Sequence, residues 1–399
     1  MGLNETPSAN RIHIGFFGKT NSGKSSLINA ICGQQLSVVS DVPGTTTDPV
    51  TKAMELLPVG PVVLIDTAGT DDGGELGKLR TDKTWRMLDR TDIAVLVVDG
   101  NREVSKEEET LVRMFKERKI PFLAAINKAE QISQQRQAEW AGFFGENPHI
   151  LVSAKENIGI EELKVSIGQL AGENKKERPL VSDLVKKGEV VMLVMPIDDS
   201  APKGRLILPQ QQVIRQLLEI GALTMAVQPD QLEQALQTCR PELVITDSQV
   251  FAKVNAIVPD AIPLTSFSIL FARYKGTLWD AVAGARMLDR ISDGDKILIA
   301  EGCTHHRQCG DIGRDKIPAW IRKHTGKEPV FCFQSGADFP ADLSEYRVIV
   351  HCGGCVLNER EMQHRLVQAG EQGIAMTNYG IAIAHMNGIL ERSIKIYES

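Results

Sequence analysis

Residues 11–32 read RIHIGFFGKTNSGKSSLINAIC. An apolar run, RIHIGFF, meets a loop bounded by Gly18 and Gly23, and that loop opens on SSLINAIC, whose apolar residues recur at helical spacing. Gly18-Lys-Thr-Asn-Ser-Gly23-Lys24-Ser25 fits G-x-x-x-x-G-K-S/T in the strand–loop–helix context which that pattern requires. Glycines let backbone N–H groups approach phosphate oxygens, and the helix N-terminus adds a field that favours anions. Lys24 can reach the β- and γ-phosphates, and the Ser25 hydroxyl can ligate Mg²⁺. Ser22 and Ser26 flank them in the same phosphate-contacting set.

Moving outward, VVLIDTAG, DIAVLVVDG, FLAAINKAE and HILVSAK each read as a buried strand ending in a polar loop, the pattern of a mostly parallel α/β sheet. Asp66-Thr-Ala-Gly69 ends one strand, with Asp66 suited to the Mg²⁺ shell and the Gly69 N–H to the γ-phosphate. Asn127-Lys128-Ala129-Glu130 and Ser153-Ala154-Lys155 end two more. Ser105 with Glu108 spells a capping box that opens a helix.

GENKKERP (172–179) is charged and aperiodic, and reads as a linker. We therefore expect an α/β protein of three domains: a phosphate-loop domain with a mostly parallel sheet over 1–172, a small α/β dimerisation module over 180–265, and an α/β block over 270–399. In the middle block, EVVMLVMPID, LTMAVQP and ELVITDS read as strands and QQVIRQLLEIG and QLEQALQTC as helices, with no catalytic constellation. In the last block, KILIAEGC and YRVIVHCGGC read as strands ending in cysteine-bearing loops, and REMQHRLVQAGEQG as a helix with a glycine stop.

The chain has 399 residues, enough for two or three domains, and its 42% apolar content lets each bury a core. A net charge of −6 disfavours a broad nucleic-acid-binding face. No signal peptide and no membrane-length apolar run are legible, so a cytoplasmic protein is expected, where clustered cysteines more often serve metals or redox chemistry than disulfides. Five of the seven cysteines and six of the eight histidines lie beyond position 300.

Cys352-Gly-Gly-Cys355 is a C-x-x-C, by itself ambiguous between redox, zinc and iron–sulfur chemistry. If KILIA and RVIVH are parallel neighbours, their C-terminal ends bring Cys303, Cys352 and Cys355 to one crevice, with His305 nearby. Three cysteines and a histidine suit either a structural Zn²⁺ or a [4Fe–4S] cluster. His306 is the substitute for His305. Cys309 and Cys332 read as loop or core residues, His351 as a hydrogen-bonded structural histidine, and Arg307 and Arg314 as surface charges that could also attract an anion.

The nucleotide motifs resemble those of bacterial Era/MnmE-like GTPases. That resemblance implies guanine recognition through Asn127, Lys128 and Glu130, although Glu130 replaces the family's Asp, with Ser153, Ala154 and Lys155 supporting the base. Pro43-Gly-Thr-Thr-Thr-Asp48 is similar to the family's switch I, which implies Thr46 as a Mg²⁺ ligand, with Thr45 and Thr47 as neighbours. Asn21 implies a K⁺ ion beside the phosphates, and Thr70 stands where Ras-like enzymes carry a water-orienting Gln, so slow, K⁺-stimulated hydrolysis of GTP is expected, with Lys24, Asn21 and Thr46 in the catalytic set.

Taken with CTHHRQCGDIGRDKIPAW, HCGGCVLNEREMQHRL and TNYGIAIA, the chain resembles the HydF family of [FeFe]-hydrogenase maturation GTPases over nearly its whole length. The resemblance implies a [4Fe–4S] cluster on Cys303, Cys352 and Cys355, with His305 a possible fourth ligand. It also implies a homodimer or higher homo-oligomer, and a scaffold that receives a di-iron precursor from two radical-SAM maturases and passes it to apo-hydrogenase, with neither nucleic acid nor membrane as a partner. The alternatives are an RNA-directed Era/MnmE-like GTPase with a structural Cys₃His zinc, and a GTPase using the C-x-x-C as a dithiol.

Overall fold

The computed structural model describes residues 11–33, 50–69, 84–173, 178–197, 206–302, 311–336, 339–354 and 356–398. The chain divides into two compact units, residues 1–176 and 177–399.

In the first unit the strands are β1 (Ile12–Phe17), β2 (Val50–Leu56), β3 (Gly60–Asp66), β4 (Ile93–Asp99), β5 (Phe122–Asn127) and β6 (His149–Leu151). Helices α1 (Lys24–Cys32), α2 (Lys106–Glu117), α3 (Gln134–Phe144) and α4 (Ile160–Glu173) connect them. The sheet order is β2-β3-β1-β4-β5-β6, parallel except that β2 runs antiparallel to β3 at the edge. The expected strands are all present. Edge strand β2 was not foreseen: VTKAMEL keeps one face open to solvent and lacks the continuous apolar run of its neighbours. One apolar cluster, with Leu27, Ile28, Leu163 and Ile167, covers one face of the sheet, and a second, with Phe17, Phe115, Trp140 and Phe144, covers the other. The capping box at α2 forms: Glu108 reaches back to accept from the Ser105 backbone N–H at 2.9 Å.

The second unit contains two parallel four-stranded sheets. The first comprises β7 (Val190–Val194), β8 (Leu223–Val227), β9 (Leu243–Thr246) and β10 (Leu264–Ser266), in the order β10-β9-β7-β8. The second comprises β11 (Lys296–Glu301), β12 (Val330–Ser335), β13 (Val348–His351) and β14 (Ala375–Asn378), in the order β12-β11-β13-β14. The helices are α5 (Leu208–Ile220), α6 (Leu232–Thr238), α7 (Phe251–Ile257), α8 (Phe267–Tyr274), α9 (Leu278–Arg286), α10 (Ile317–Thr325), α11 (Glu359–Glu371), α12 (Tyr379–Met386) and α13 (Leu390–Ile394). Gly221, at φ 79°, terminates α5.

The two sheets share helices. Ala281, Val282 and Ala285 of α9 and Ile381 and Ala384 of α12 pack with Met192, Val194 and Val244 of the first sheet. On its other side α12 sends Ala382 and Ile383 against Ile297, Ile299 and Val350 of the second. Alternating small residues let α12 lie between two cores. Gly284 does the same for α9, since a Cβ there would lie 2.3 Å from the Met376 carbonyl oxygen of β14. Among the described residues no helix is long and apolar enough to cross a membrane.

Gly284 meets backbone, which cannot rotate away. Gly284→Val is therefore expected to destabilise the second unit by about 1–3 kcal/mol or more through overpacking. Urea denaturation monitored by far-ultraviolet circular dichroism measures this directly.

Candidate functional sites at two strand-end rims

In the first unit the glycine loop runs from β1 into α1. Gly23 caps the helix at φ 96°, and a Cβ there would lie 2.1 Å from the Asn127 Nδ2. Only glycine lets the loop approach that closely. Asn127 is buried, and both ends of its amide are used on the protein: Nδ2 donates to Ser22 O at 2.9 Å, and Oδ1 accepts from Ala154 N–H at 3.1 Å. The residue expected to read a base is thus also the tie between the phosphate loop and the loop after β6.

Lys24 is buried, and its ammonium donates to Gly18 O at 2.9 Å and Lys19 O at 2.8 Å. The Ser25 hydroxyl donates to the Asp66 carboxylate at 2.6 Å. A hydroxyl and a carboxylate oxygen this close suit neighbouring corners of an octahedral Mg²⁺ shell, where metal–oxygen distances of about 2.1 Å set adjacent oxygens about 3 Å apart. Gly69 abuts the same loop, its absent Cβ leaving 2.1 Å to the Thr20 hydroxyl. The buried Ser22 hydroxyl has no hydrogen-bond partner among the described residues. Asn21 is exposed at φ 63°, a conformation asparagine tolerates well, so the loop's shape alone already accounts for its presence. Ser26 occupies the first turn of α1.

On the base side, Lys128 sits at φ 66° and pairs with Asp99 at 2.6 Å. The longer Glu130 still reaches the Ser153 hydroxyl, and that hydrogen bond holds its carboxyl below the ordinary glutamate range. Lys155 is exposed and pairs with Glu156. Thr45, Thr46, Thr47 and Thr70 lie outside the described residues.

The second rim lies where β11 and β13 end. They are parallel neighbours in the register Ala300↔His351, as the sequence reading required. The order β12-β11-β13-β14 makes the gap between β11 and β13 the point where the winding reverses, the place where open α/β sheets open a crevice. Cys352 sits there. Its sulfur accepts N–H bonds from Gly302 at 3.1 Å and Gly354 at 3.4 Å. Gly302, which precedes Cys303 in the sequence, thus lies against the Cys352 sulfur where β11 ends. Backbone N–H groups aimed at a sulfur favour its thiolate, the form that binds metal. Cys303, His305, His306, Arg307, Cys309 and Cys355 lie outside the described residues. Cys332 is half-buried against the core, and Arg314 stacks on Phe333 at 5.0 Å.

Sequence reasoning missed what braces this rim. Lys275, buried at the end of α8, donates to Gly354 O at 2.5 Å and lies 3.4 Å from Gly353 O. Its ammonium fixes the Cys352-Gly-Gly turn beside a cavity of about 90 Å³ lined in part by Phe267, Thr277, His351, Cys352 and Met362. Nothing near Lys275 in sequence marks it. Behind the turn, buried Arg365 donates to buried His351 Nε2 at 2.9 Å, to half-buried Gly336 O at 3.1 Å and to buried Glu361 at 2.8 Å. Here a signal existed: Arg365 interrupts the apolar stripe Met362, Leu366, Ala369 on α11.

A guanidinium can only donate, so His351 Nε2 accepts and its Nδ1–H donates to Cys352 O at 2.7 Å. Burial, reinforced by the Arg365 charge, pushes the His351 pKa down to about 3. Tyr379, which donates to Glu301, is raised by burial and by the nearby Glu301 charge.

Residues 13–128 match the family described as 50S ribosome-binding GTPase, residues 180–276 the hydrogen maturase F dimerization domain, and residues 279–396 the hydrogen maturase F tetramerization domain. The tRNA modification GTPase MnmE of Acetivibrio thermocellus is 30% identical over 187 residues, covering 45% of this chain and 40% of that protein. MnmE of Heliobacterium modesticaldum is 35% identical over 150 residues, covering 37% and 31%. The chain thus spans less than half the length of these relatives. A solved structure of Era from Aquifex aeolicus bound to GDP and aluminium fluoride aligns with a TM-score of 0.38 and 18% identity, covering 54% of this chain and 92% of that one.

Because His351 is neutral in the fold and has an unfolded pKa near 6.5, the unfolded chain binds the extra proton. Stability is then fully present above about pH 6.5 and falls progressively as pH drops towards about 3. His351→Gln is expected to flatten that slope in urea midpoints measured from pH 7 to 4.

Proposed function

We propose that this chain, which belongs to the hydrogen maturase F family, is a GTP-hydrolysing scaffold that holds a [4Fe–4S] cluster and carries a di-iron precursor to apo-[FeFe]-hydrogenase. The reading is supported above all by Cys352, whose sulfur accepts from the residue preceding Cys303 at a strand-end crevice. The donor set fits the group: cysteine thiolates, backbone N–H groups directed at sulfur, and a buried ammonium on the adjoining carbonyls. Cys303, Cys352 and Cys355 would hold the cluster, with His305 as a possible fourth ligand. When bound, the cluster would supply an iron at which cargo can be exchanged. The protein's own part is to present the thiolates on a turn fixed by Lys275 and backed by neutral His351.

For nucleotide, the Lys24 ammonium would turn from its loop carbonyls to phosphate oxygens, and Ser25, Asp66 and Thr46 would hold Mg²⁺. Developing charge on the transferred group is met by Lys24, the loop N–H groups and the α1 N-terminus. Asn21 would hold K⁺. Asn127, Lys128 and Glu130 would select guanine, with Ser153 keeping the Glu130 carboxylate ionised. The three-part division at 1–172, 180–265 and 270–399 assigns nucleotide, self-association and cluster to successive segments. Edge strand β8 and exposed Leu218 and Leu223 offer a surface for a second copy. Two radical-SAM maturases would supply the precursor, in the cytoplasm. The hydrogen maturase F domains behind the GTPase domain favour this over an RNA-directed GTPase.

Protein purified without oxygen should be brown and carry about four irons per chain. Cys352→Ala should lose the iron and keep GTP hydrolysis, while Lys24→Ala does the reverse. A colourless protein with one zinc would sink the reading. Hydrolysis in KCl should exceed that in NaCl, and equal rates would remove the role given to Asn21.

A further inference from the structure

Away from both rims, three polar side chains distant in sequence converge on one point. Asp289 lies on the short 3₁₀ turn after α9, His324 in the last turn of α10, and His385 in the last turn of α12. The Nε2 atoms of His324 and His385 lie 2.8 and 3.0 Å from the same carboxylate oxygen, Asp289 Oδ1. The two rings meet edge-on with centroids 5.5 Å apart. All three ligand atoms fall within 4.8 Å of one another. A carboxylate has two oxygens, yet both rings address one.

We infer that Asp289, His324 and His385 form a binding site for a divalent first-row transition-metal ion, separate from the cysteine rim. The chemistry of the donors carries this. Two imidazoles and one carboxylate form a set that binds Zn²⁺, Fe²⁺, Co²⁺ or Ni²⁺ and leaves coordination positions open. Metal–ligand distances of about 2.0–2.2 Å place neighbouring ligand atoms about 3.0–3.4 Å apart, close to the two nitrogen–oxygen separations of 2.8 and 3.0 Å. Both rings are partly open to solvent, the His324 side chain 24% and the His385 side chain 15% exposed, so an ion can reach them. Both histidines sit at helix C-termini, where the backbone field favours a cation. Two basic neighbours are engaged elsewhere, Arg286 with Glu391 and Arg322 with Glu328.

The site joins the turn after α9 to the C-terminal ends of α10 and α12. An ion held by three protein atoms there keeps open positions for water or for a donor from another chain. A purely structural alternative is a hydrogen-bonded clamp, in which each ring donates a proton to Asp289 and no metal enters.

Cobalt separates the two. Full-length protein, stripped with chelator and titrated with CoCl₂, should gain visible d–d absorption without the intense near-ultraviolet band of thiolate–cobalt bonding, which marks any ion taken by the cysteines instead. ZnCl₂ should displace it and raise the Tm in proportion to occupancy. His324→Gln, His385→Gln and Asp289→Asn should each weaken cobalt affinity by more than about 100-fold, beyond the 10–100-fold that loss of an outer partner costs. Asp289→Asn keeps the size of the native side chain and one oxygen that can still accept from both rings, so it tests the ligand charge and not the fold. The inference is overturned if wild-type protein gains no nitrogen- and oxygen-type cobalt spectrum, or if the three variants bind cobalt as wild type does. A Tm that falls in the variants with no metal-dependent gain in wild type would establish the clamp instead.

Discussion

Parallel strand pairing is the constraint from which both rims follow. A strand covered by helices on both faces cannot carry polar side chains along its length, because each would lose its hydration without a partner. Strands β1, β4, β5, β11 and β13 are buried almost throughout. Their chemistry is displaced to the residues just past their C-terminal ends: the glycine loop after β1, Asn127 at the end of β5, Cys352 after β13. Where the winding reverses, two such ends diverge and leave room between them. In the first unit that reversal lies between β1 and β4, and in the second sheet of the other unit between β11 and β13.

Each rim is held by a few buried polar ties. Asn127 joins two loops with one amide, and a glycine must sit opposite it to make room. Around Cys352 the ties are charged. Arg365 and Glu361 are both buried, an arrangement whose desolvation cost is offset only when every donor and acceptor is used. His351, Gly336 O and the face of Phe339 meet that demand. The same network fixes the tautomer of His351 and, through its Nδ1–H, the carbonyl of Cys352 itself. Lys275 works from the other side of the turn, so the two glycines between the cysteines are held by a charge without bulk.

Much of this was legible in the one-dimensional pattern. Apolar runs gave the strands, glycine and capping signals gave helix ends, and the phosphate loop came with its own strand and helix. Placing the ends of KILIA and RVIVH side by side needed only the assumption that the two runs were parallel neighbours, and β11 and β13 are. Edge strand β2 escaped because a half-exposed antiparallel strand has a weaker apolar signature. Lys275 escaped because a buried lysine looks locally like any solvated one, whereas Arg365 left a trace by breaking an apolar stripe.

By itself, then, the sequence determined the elements and the residues at their ends, since backbone periodicity and loop chemistry are local properties. Tertiary structure alone decided which distant side chains meet. Asp289, His324 and His385 come from three separate elements with no shared motif, and only the packing of α9, α10 and α12 against one another aims them at a single oxygen. Local patterns carry no record of such meetings, because burial and helix crossing are set by the whole core.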